Sequence, residues 1–447
     1  MRIIIIGGVA AGTSAAAKAK RENSDSEIIL FEKGKDISYA GCGLPYYISG
    51  ITSRDQIVIN TPEEFQKKYN IEVKTSHKVT KILPDSKQII YENQKKSNKI
   101  KYDKLIIATG ASPIIPPIPG INLNHILPLR TLKNAVNIKN IIENKNPQNI
   151  TIVGAGLIGL EMAEAFYELN LNITIIEKMS QVLPTFSRDM AQIVKNHLLD
   201  KNIDLYLNEE VTEFVGDKNN NLKSVKTKSG KNIDSDLTLI STGIKPNTDL
   251  ASQAGVKTGN SGAVAVNEKM ETSIPDIFAA GDCAQSTNLI TNKPVWFPLG
   301  STANKQGRIA GENAAGGSNN HKGILKTAIT KIFDLTVAKT GISVEEAEKN
   351  EIDPVTTKIT AANHAGYYPE LEKINLKGVF NKDNGEIIGA EIIGKDGVDK
   401  RIDVLSTAIY SKLTAHDLFQ VDLAYAPPYS SPKDPAAILG MVTSKKL

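Results

Sequence analysis

Two thiols are the most reactive side chains in this 447-residue chain, and they stand in unlike settings. Cys42 lies in SYAGCGLPYY, a turn-rich stretch that leads into a segment expected to be helical. A thiol at a helix N-terminus has its pKa lowered, so the sequence predicts a raised thiolate fraction at Cys42. A solitary thiolate has two redox cycles open to it: a mixed disulfide with a small thiol, or a sulfenic acid made by peroxide. Each is reset by two electrons. Cys283 follows the apolar run IPDIFAAGD and reads as a small core residue. Two thiols make no disulfide framework, and such sparse cysteine points to the reducing cytoplasm.

Two other stretches have the form that brings electrons in. RIIIIGG is a continuous apolar run, as a strand buried on both faces requires. VAAGTSAAAKAKRE then has the small residues of a tightly packed helix, and EIILFEK is a second strand ending at Glu32. Such a βαβ unit sets a pyrophosphate on the helix N-terminus and a ribose on the acidic side chain. Its glycine pattern is incomplete, with Gly7, Val9 and Gly12, and taken alone it serves equally as a structural turn. NITIVGAGLIGLEMAEAFYELNLNITIIEK repeats the pattern in full, with Gly154, Gly156, Gly159 and a closing Glu177. A carboxylate there bonds ribose hydroxyls and repels a 2′-phosphate, which favours NADH, while the adjacent Lys178 leaves NADPH open. Two such units imply two dinucleotides. KLIIATG and LTLISTG repeat one strand–Thr–Gly arrangement, at Thr109–Gly110 and Thr242–Gly243. A third apolar strand ends at Gly281–Asp282, where the carboxylate is placed for a flavin ribityl hydroxyl or for a helix N-cap.

The composition bounds the setting. Apolar residues make up 40% and charged residues 23%, which is ordinary for a globular protein. At ~150 residues per domain the length suggests about three domains. The 53 basic and 49 acidic residues leave a net charge of +4 with no long basic block, so no nucleic-acid partner is expected. No run of ~18 uncharged apolar residues is present, and no membrane span is expected. The opening MRIIIIGGVAAG has only four isoleucines before its glycine turn, and reads as a strand rather than a leader. No cluster of Cys, His or Asp has metal-ligand spacing, so no metal is expected.

The two dinucleotide motifs, the ATG and GD segments and ISYAGCGLPYYISG together resemble the flavin-dependent pyridine nucleotide–disulfide oxidoreductases, over essentially the whole chain. Within these the chain is similar to the single-cysteine branch: coenzyme A-disulfide reductases, NADH oxidases, NADH peroxidases, and polysulfide or persulfide reductases. Two-cysteine members carry C-x4-C; here Tyr47 holds the second place, so Cys42 works alone. The resemblance implies an α/β fold class, with two Rossmann-like dinucleotide-binding domains and a C-terminal α+β dimerisation domain. Residues 1–113 and 250–325 would bind FAD, 114–249 NAD(P)H, and 326–447 would form the dimer. The small, polar stretch AAGGSNNHKG at 314–323 suits the last boundary. The implied FAD residues are Gly7, Gly8, Ala11, Gly12, Glu32, Lys33, Thr109, Gly110, Gly281, Asp282, Leu299 and Ala303. Those for NADH or NADPH are Gly154, Gly156, Leu157, Ile158, Gly159, Glu177, Lys178 and Gly243.

The branch also bears on the substrate. Its peroxidases and water-forming oxidases carry a histidine facing the cysteine from the first glycine loop, where this chain has Ala10. Its coenzyme A-disulfide reductases hold CoA with polar residues on the first helix. Ser14, Lys18 and Arg21 stand at i, i+4 and i+7 and share one face there, with two cations suited to CoA phosphates. Ser38 and Lys433 match further CoA positions, and Gly41 stands where several CoA-specific members have asparagine. Those members also bring two tyrosines of the partner subunit to the substrate sulfur. NHAGYYPE offers Tyr367 and Tyr368, DLAYAPPYSSPKD offers Tyr425 and Tyr429, and Tyr367 and Tyr425 are the expected pair. The expectation is a homodimer that reduces CoA disulfide, or a CoA persulfide, through Cys42. NADH oxidase activity and polysulfide or persulfide reduction stand as alternatives.

Overall fold

The computed structural model describes residues 1–94 and 96–447. Its first sheet has five parallel strands in the order Ile277–Ala279, Lys104–Ile107, Arg2–Ile6, Glu27–Phe31 and Glu72–Lys74. The isoleucine run is central, with Ile5 opposite Leu30 on one side and Ile106 on the other. Alternate side chains of a strand point to opposite faces. Ile3, Ile5, Ile28 and Leu30 pack on the helices Ala10–Glu22 and Gly300–Ala314. Ile4, Ile6, Ile29 and Phe31 pack on a small antiparallel sheet formed by Lys78–Leu83, Gln88–Asn93 and Lys96–Lys101. Both faces are covered, which is why the strand is apolar from Ile3 to Ile6.

The two helices approach closely enough to exclude side chains. A Cβ on Gly307 would stand 2.3 Å from the Ala11 carbonyl oxygen, and one on Gly311 2.2 Å from that of Ala15. The alanines of the first helix and the glycines of the second are therefore one packing solution.

A second unit repeats the plan. Strands Asp204–Leu207, Asn172–Glu177, Asn149–Val153, Leu237–Ile240 and Ile126–Pro128 form a parallel sheet. One face, with Ile150, Ile152 and Ile175, packs on Leu160 and Phe166 of helix Leu157–Tyr167. The other, with Val153, Ile176 and Ile240, packs on a three-stranded antiparallel sheet through Phe214 and Val225. This unit is inserted into the first through paired crossing strands, Ala111–Pro113 and Ile244–Pro246.

The C-terminal part is a five-stranded antiparallel sheet in the order Ala328–Ile332, Leu335–Gly341, Ile387–Gly394, Lys373–Asn381 and Pro354–Ala362. Its apolar face, with Leu376, Phe380 and Ile392, packs on helices Val398–Tyr410, Ala415–Gln420 and Pro435–Thr443. Among the described residues no helix is long and apolar enough to cross a membrane.

Candidate active site

The two strand–helix turns are built alike. Gly7 has φ +111° and Gly154 φ +106°, backbone conformations that favour glycine. A Cβ on Gly12 would lie 1.7 Å from the Gly7 carbonyl oxygen, and one on Gly159 2.2 Å from that of Gly154. The middle position separates the turns. A Cβ on Gly156 would meet nothing within 4 Å, so the backbone there faces open space that a pyrophosphate can enter. Neither following helix has a side-chain cap, which leaves first-turn N–H groups for an anion.

The acidic residues are held in the same way in both units. Glu32 accepts from the Gly8 N–H at 2.8 Å and the Gly34 N–H at 2.7 Å. Glu177 accepts from the Ala155 and Met179 N–H groups, each at 2.7 Å. Each carboxylate thus sits at the lip of its glycine turn, where a ribose would lie. Lys178 points elsewhere: it is exposed and pairs with Glu210 at 2.9 Å. The open backbone, uncapped helices and fixed carboxylates fit two dinucleotides.

The remaining cofactor-binding candidates fall at the same sheet edges. The Thr109 hydroxyl donates to the Asn247 carbonyl at 2.6 Å, and that of Thr242 to the Ile114 carbonyl at 2.9 Å. Gly110 (φ +70°) and Gly243 (φ +112°) turn the chain out of each sheet. Gly281 packs against Ala11 and Ala303, and Leu299 precedes helix Gly300–Ala314 as its N-cap residue. Lys33 is exposed beside Glu32, as Ile158 is beside Leu157. Asp282 forms an ion pair with Arg130 of the inserted unit. No helix begins at Asp282, so its helix-cap reading is set aside.

Cys42 occupies a 3-10 turn, Gly41–Gly43, ahead of the helix Leu44–Ser49, and is exposed. Leu44 and Ile48 share an apolar cluster with Leu160 and Met162 of the second glycine helix. The thiol therefore stands where the two nucleotide units meet. Its acidity is the reverse of the expectation. Although its surface is open, protein packed around its inner side desolvates the thiolate, and the Glu161 carboxylate adds to this. Arg130 opposes and Asp282 reinforces, and the thiol is pushed above its ordinary range. A short helix behind the thiol does not offset the burial and the carboxylate. Glu161, which the sequence reading passed over, accepts from the Thr330 hydroxyl at 2.5 Å, and burial raises its carboxyl. The available signal was its position two residues beyond Gly159 on the same helix; Arg130 had none.

Cys283 is fully buried, with its thiol donating to the Ile107 and Ala280 carbonyls at 3.4 Å.

The polar face of the first helix is already engaged. Ser14 accepts from the Asn304 side chain at 2.8 Å. Lys18 sits between Glu22 at 2.8 Å and Glu312 at 3.0 Å, and these carboxylates hold its pKa up. Arg21 is exposed at the helix end, as Ala10 is at its start. Ser38 donates its N–H to the Gly8 carbonyl at 2.8 Å and so lies against the first glycine turn. A Cβ on Gly41 would meet nothing within 4 Å, so a side chain fits there. Lys433 is exposed and lines a cavity of about 120 Å³ with Phe419, Val421 and Ile438.

Of the four tyrosines, two converge. The hydroxyls of Tyr367 and Tyr425 stand 3.4 Å apart on the C-terminal part, with Tyr367 77% exposed. The contact holds the Tyr425 phenol above its ordinary pKa. Tyr368 instead packs edge-on against His364, with ring centroids 5.4 Å apart.

Residues 1–307 match the family model described as pyridine nucleotide-disulphide oxidoreductase, and residues 327–436 match that family's dimerisation domain. An NADH oxidase of Methanocaldococcus jannaschii is 37% identical, across 100% of this chain and 99% of its own. A coenzyme A disulfide reductase of Staphylococcus haemolyticus is 37% identical across 98% of each chain. The structure of an NAD-dependent persulfide reductase from A. fulgidus matches with a TM-score of 0.97 at 38% identity, over 100% of this chain and 83% of that one. The chain belongs to the pyridine nucleotide-disulphide oxidoreductase family, whose members work with FAD and a nicotinamide dinucleotide, and it carries that family's dimerisation domain.

Proposed function

We propose that this protein is a homodimeric FAD-dependent NAD(P)H oxidoreductase that reduces CoA disulfide, or a CoA persulfide, through Cys42. The observation that carries this reading is one exposed thiol at the meeting of two dinucleotide turns, while the other cysteine is buried. Bound at the first turn, FAD would supply the two-electron relay between a nicotinamide dinucleotide held at the second turn and the Cys42 sulfur. Glu32, Gly281 and Asp282 would hold the first dinucleotide, and Gly156 and Glu177 the second.

The Cys42 thiolate attacks one sulfur of CoA disulfide. That S–S bond breaks, a Cys42–CoA mixed disulfide forms, and one CoA thiolate leaves. Two electrons then cleave the mixed disulfide, freeing the second CoA thiolate and restoring the Cys42 thiolate. One hydride and one proton thus yield two CoA thiols per disulfide. With a CoA persulfide the group leaving is a sulfide.

Ser14, Lys18, Arg21, Ser38 and Lys433 are the CoA-binding residues in this reading, with Lys18 exchanging a carboxylate for a phosphate. Gly41 lines the approach to the sulfur. The partner subunit's Tyr367 and the partner subunit's Tyr425 donate hydrogen bonds to the departing thiolate. Their support is that the two hydroxyls already converge on the exposed face of the dimerisation domain. The reducing cytoplasm, where CoA is kept as the thiol, is the proposed setting.

Mass analysis of the Cys42 peptide tests the covalent step. Holoenzyme given CoA disulfide anaerobically without NADH should carry one CoA on Cys42, and Cys42→Ser none. An unmodified Cys42 overturns the reading.

A further inference from the structure

The two converging tyrosines, Tyr367 and Tyr425, lie on segments far apart in sequence, and a buried ion pair joins those segments. Arg401 is 1% exposed and Asp434 4%. From helix Val398–Tyr410, the Arg401 Nη2 donates to the Asn363 carbonyl at 2.8 Å, the Tyr429 carbonyl at 3.3 Å and Asp434 Oδ2 at 2.9 Å. Its Nη1 donates to the Gly397 carbonyl at 3.0 Å. Asp434 accepts from the Ala436 N–H at 2.9 Å, capping helix Pro435–Thr443, and from the Ser430 hydroxyl at 2.8 Å. One guanidinium thus grips the backbone four residues before Tyr367 and four residues after Tyr425.

Space for the guanidinium is reserved. Gly397 has φ +72°, and a Cβ there would lie 2.1 Å from Arg401 Nη1. A buried ion pair is weak evidence of stability, since apolar replacements are often neutral or better. What a rigid, planar donor fork supplies is direction. Ala365 also donates to the Pro427 carbonyl at 3.2 Å, so the gripped segments run side by side.

We propose that Arg401 and Asp434 are a positioning pair that sets the separation of the Tyr367 and Tyr425 hydroxyls. Through that separation they govern the disulfide-reducing half of the reaction, a consequence that rests on the tyrosine role proposed above. Neither residue touches substrate or cofactor in this account.

The test uses the FAD-loaded full chain with Arg401→Lys, which keeps the charge and loses the fork. Two quantities are read. The first is tyrosinate absorbance against pH, taken as the difference from the matching Tyr425→Phe variant, which isolates Tyr425. The second is the pair of anaerobic half-reactions, NADH with flavin and reduced enzyme with CoA disulfide. Arg401→Lys should return Tyr425 toward the ordinary phenol range. It should slow disulfide reduction roughly 10- to 100-fold, the cost of a misplaced group, and leave flavin reduction by NADH unchanged. Should Arg401→Lys not assemble, Gly397→Ala, which drives a methyl onto Nη1, is read the same way. Asp434→Asn, which keeps the helix cap and loses the charge, should move the Tyr425 titration and disulfide reduction in the same direction as Arg401→Lys. An unchanged Tyr425 titration overturns the proposal. A shifted titration with unchanged disulfide reduction upholds the positioning pair and overturns the proposed role of the tyrosines.

Discussion

The Ala155 N–H donates to Glu177 Oε2 at 2.7 Å, and this bond fixes a carboxylate at the lip of the second glycine turn. Lys178, the neighbour that would favour a phosphate, is turned onto Glu210 at 2.9 Å. Placing like charges together costs several kcal/mol, so NADH should outperform NADPH in kcat/KM by about 100-fold or more. Glu177→Ala should narrow that ratio, mainly through a lower KM for NADPH. Equal use of both nucleotides by the unaltered protein would contradict this placement.

The single exposed thiol makes a sharp separation of functions. Cys42→Ser should retain FAD and its reduction by NADH, while reduction of CoA disulfide is lost. Stopped-flow absorbance of the flavin in each half-reaction measures both. Full disulfide turnover in Cys42→Ser would remove the thiol from the mechanism.

Burial first, and the Glu161 carboxylate second, push the Cys42 thiol up. Removing the negative charge removes a repulsion that disfavours the thiolate, so Glu161→Gln should lower the pH at which Cys42 ionises. Alkylation of Cys42 by iodoacetamide at neutral pH should then be faster than in the unaltered protein. Cys283 is fully buried and does not obscure the reading. A slower reaction in Glu161→Gln would reverse the sign argued here.

Gly311 allows the helices Ala10–Glu22 and Gly300–Ala314 to touch, since a Cβ would come within 2.2 Å of the Ala15 carbonyl. Gly311→Ala should destabilise the protein by about 1–3 kcal/mol, as overpacking does. The thermal midpoint should fall and FAD should be released more readily, because Ala11 and Ala303 pack beneath Gly281 at the same edge. An unchanged midpoint would mean that the helices separate at no cost.

The nucleotide units were legible because their signals are local. Strands covered on both faces must be continuously apolar, and turns that bring backbone against backbone must be glycine, as at Gly7, Gly12, Gly154 and Gly159. The tyrosine pair was legible only through family resemblance, and its 3.4 Å contact links residues whose spacing carries no periodic signal. The raised acidity expected of Cys42 rests on the local helix alone, whereas burial of the thiol's inner side and, after it, the distant charge of Glu161 come from the packed fold. The engagement of Lys18 by Glu312 escaped notice for the same reason: the carboxylate arrives on another helix. Arg401 and Asp434 look like surface residues in the sequence, and only the packed fold buries them.

The most direct measurement is anaerobic NADH consumption by the purified, FAD-loaded protein with CoA disulfide, beside the same protein in air without it. The account predicts fast anaerobic turnover, two CoA thiols released per NADH, and slow oxygen use. Fast oxygen consumption with no response to CoA disulfide would contradict it and make the protein an oxidase.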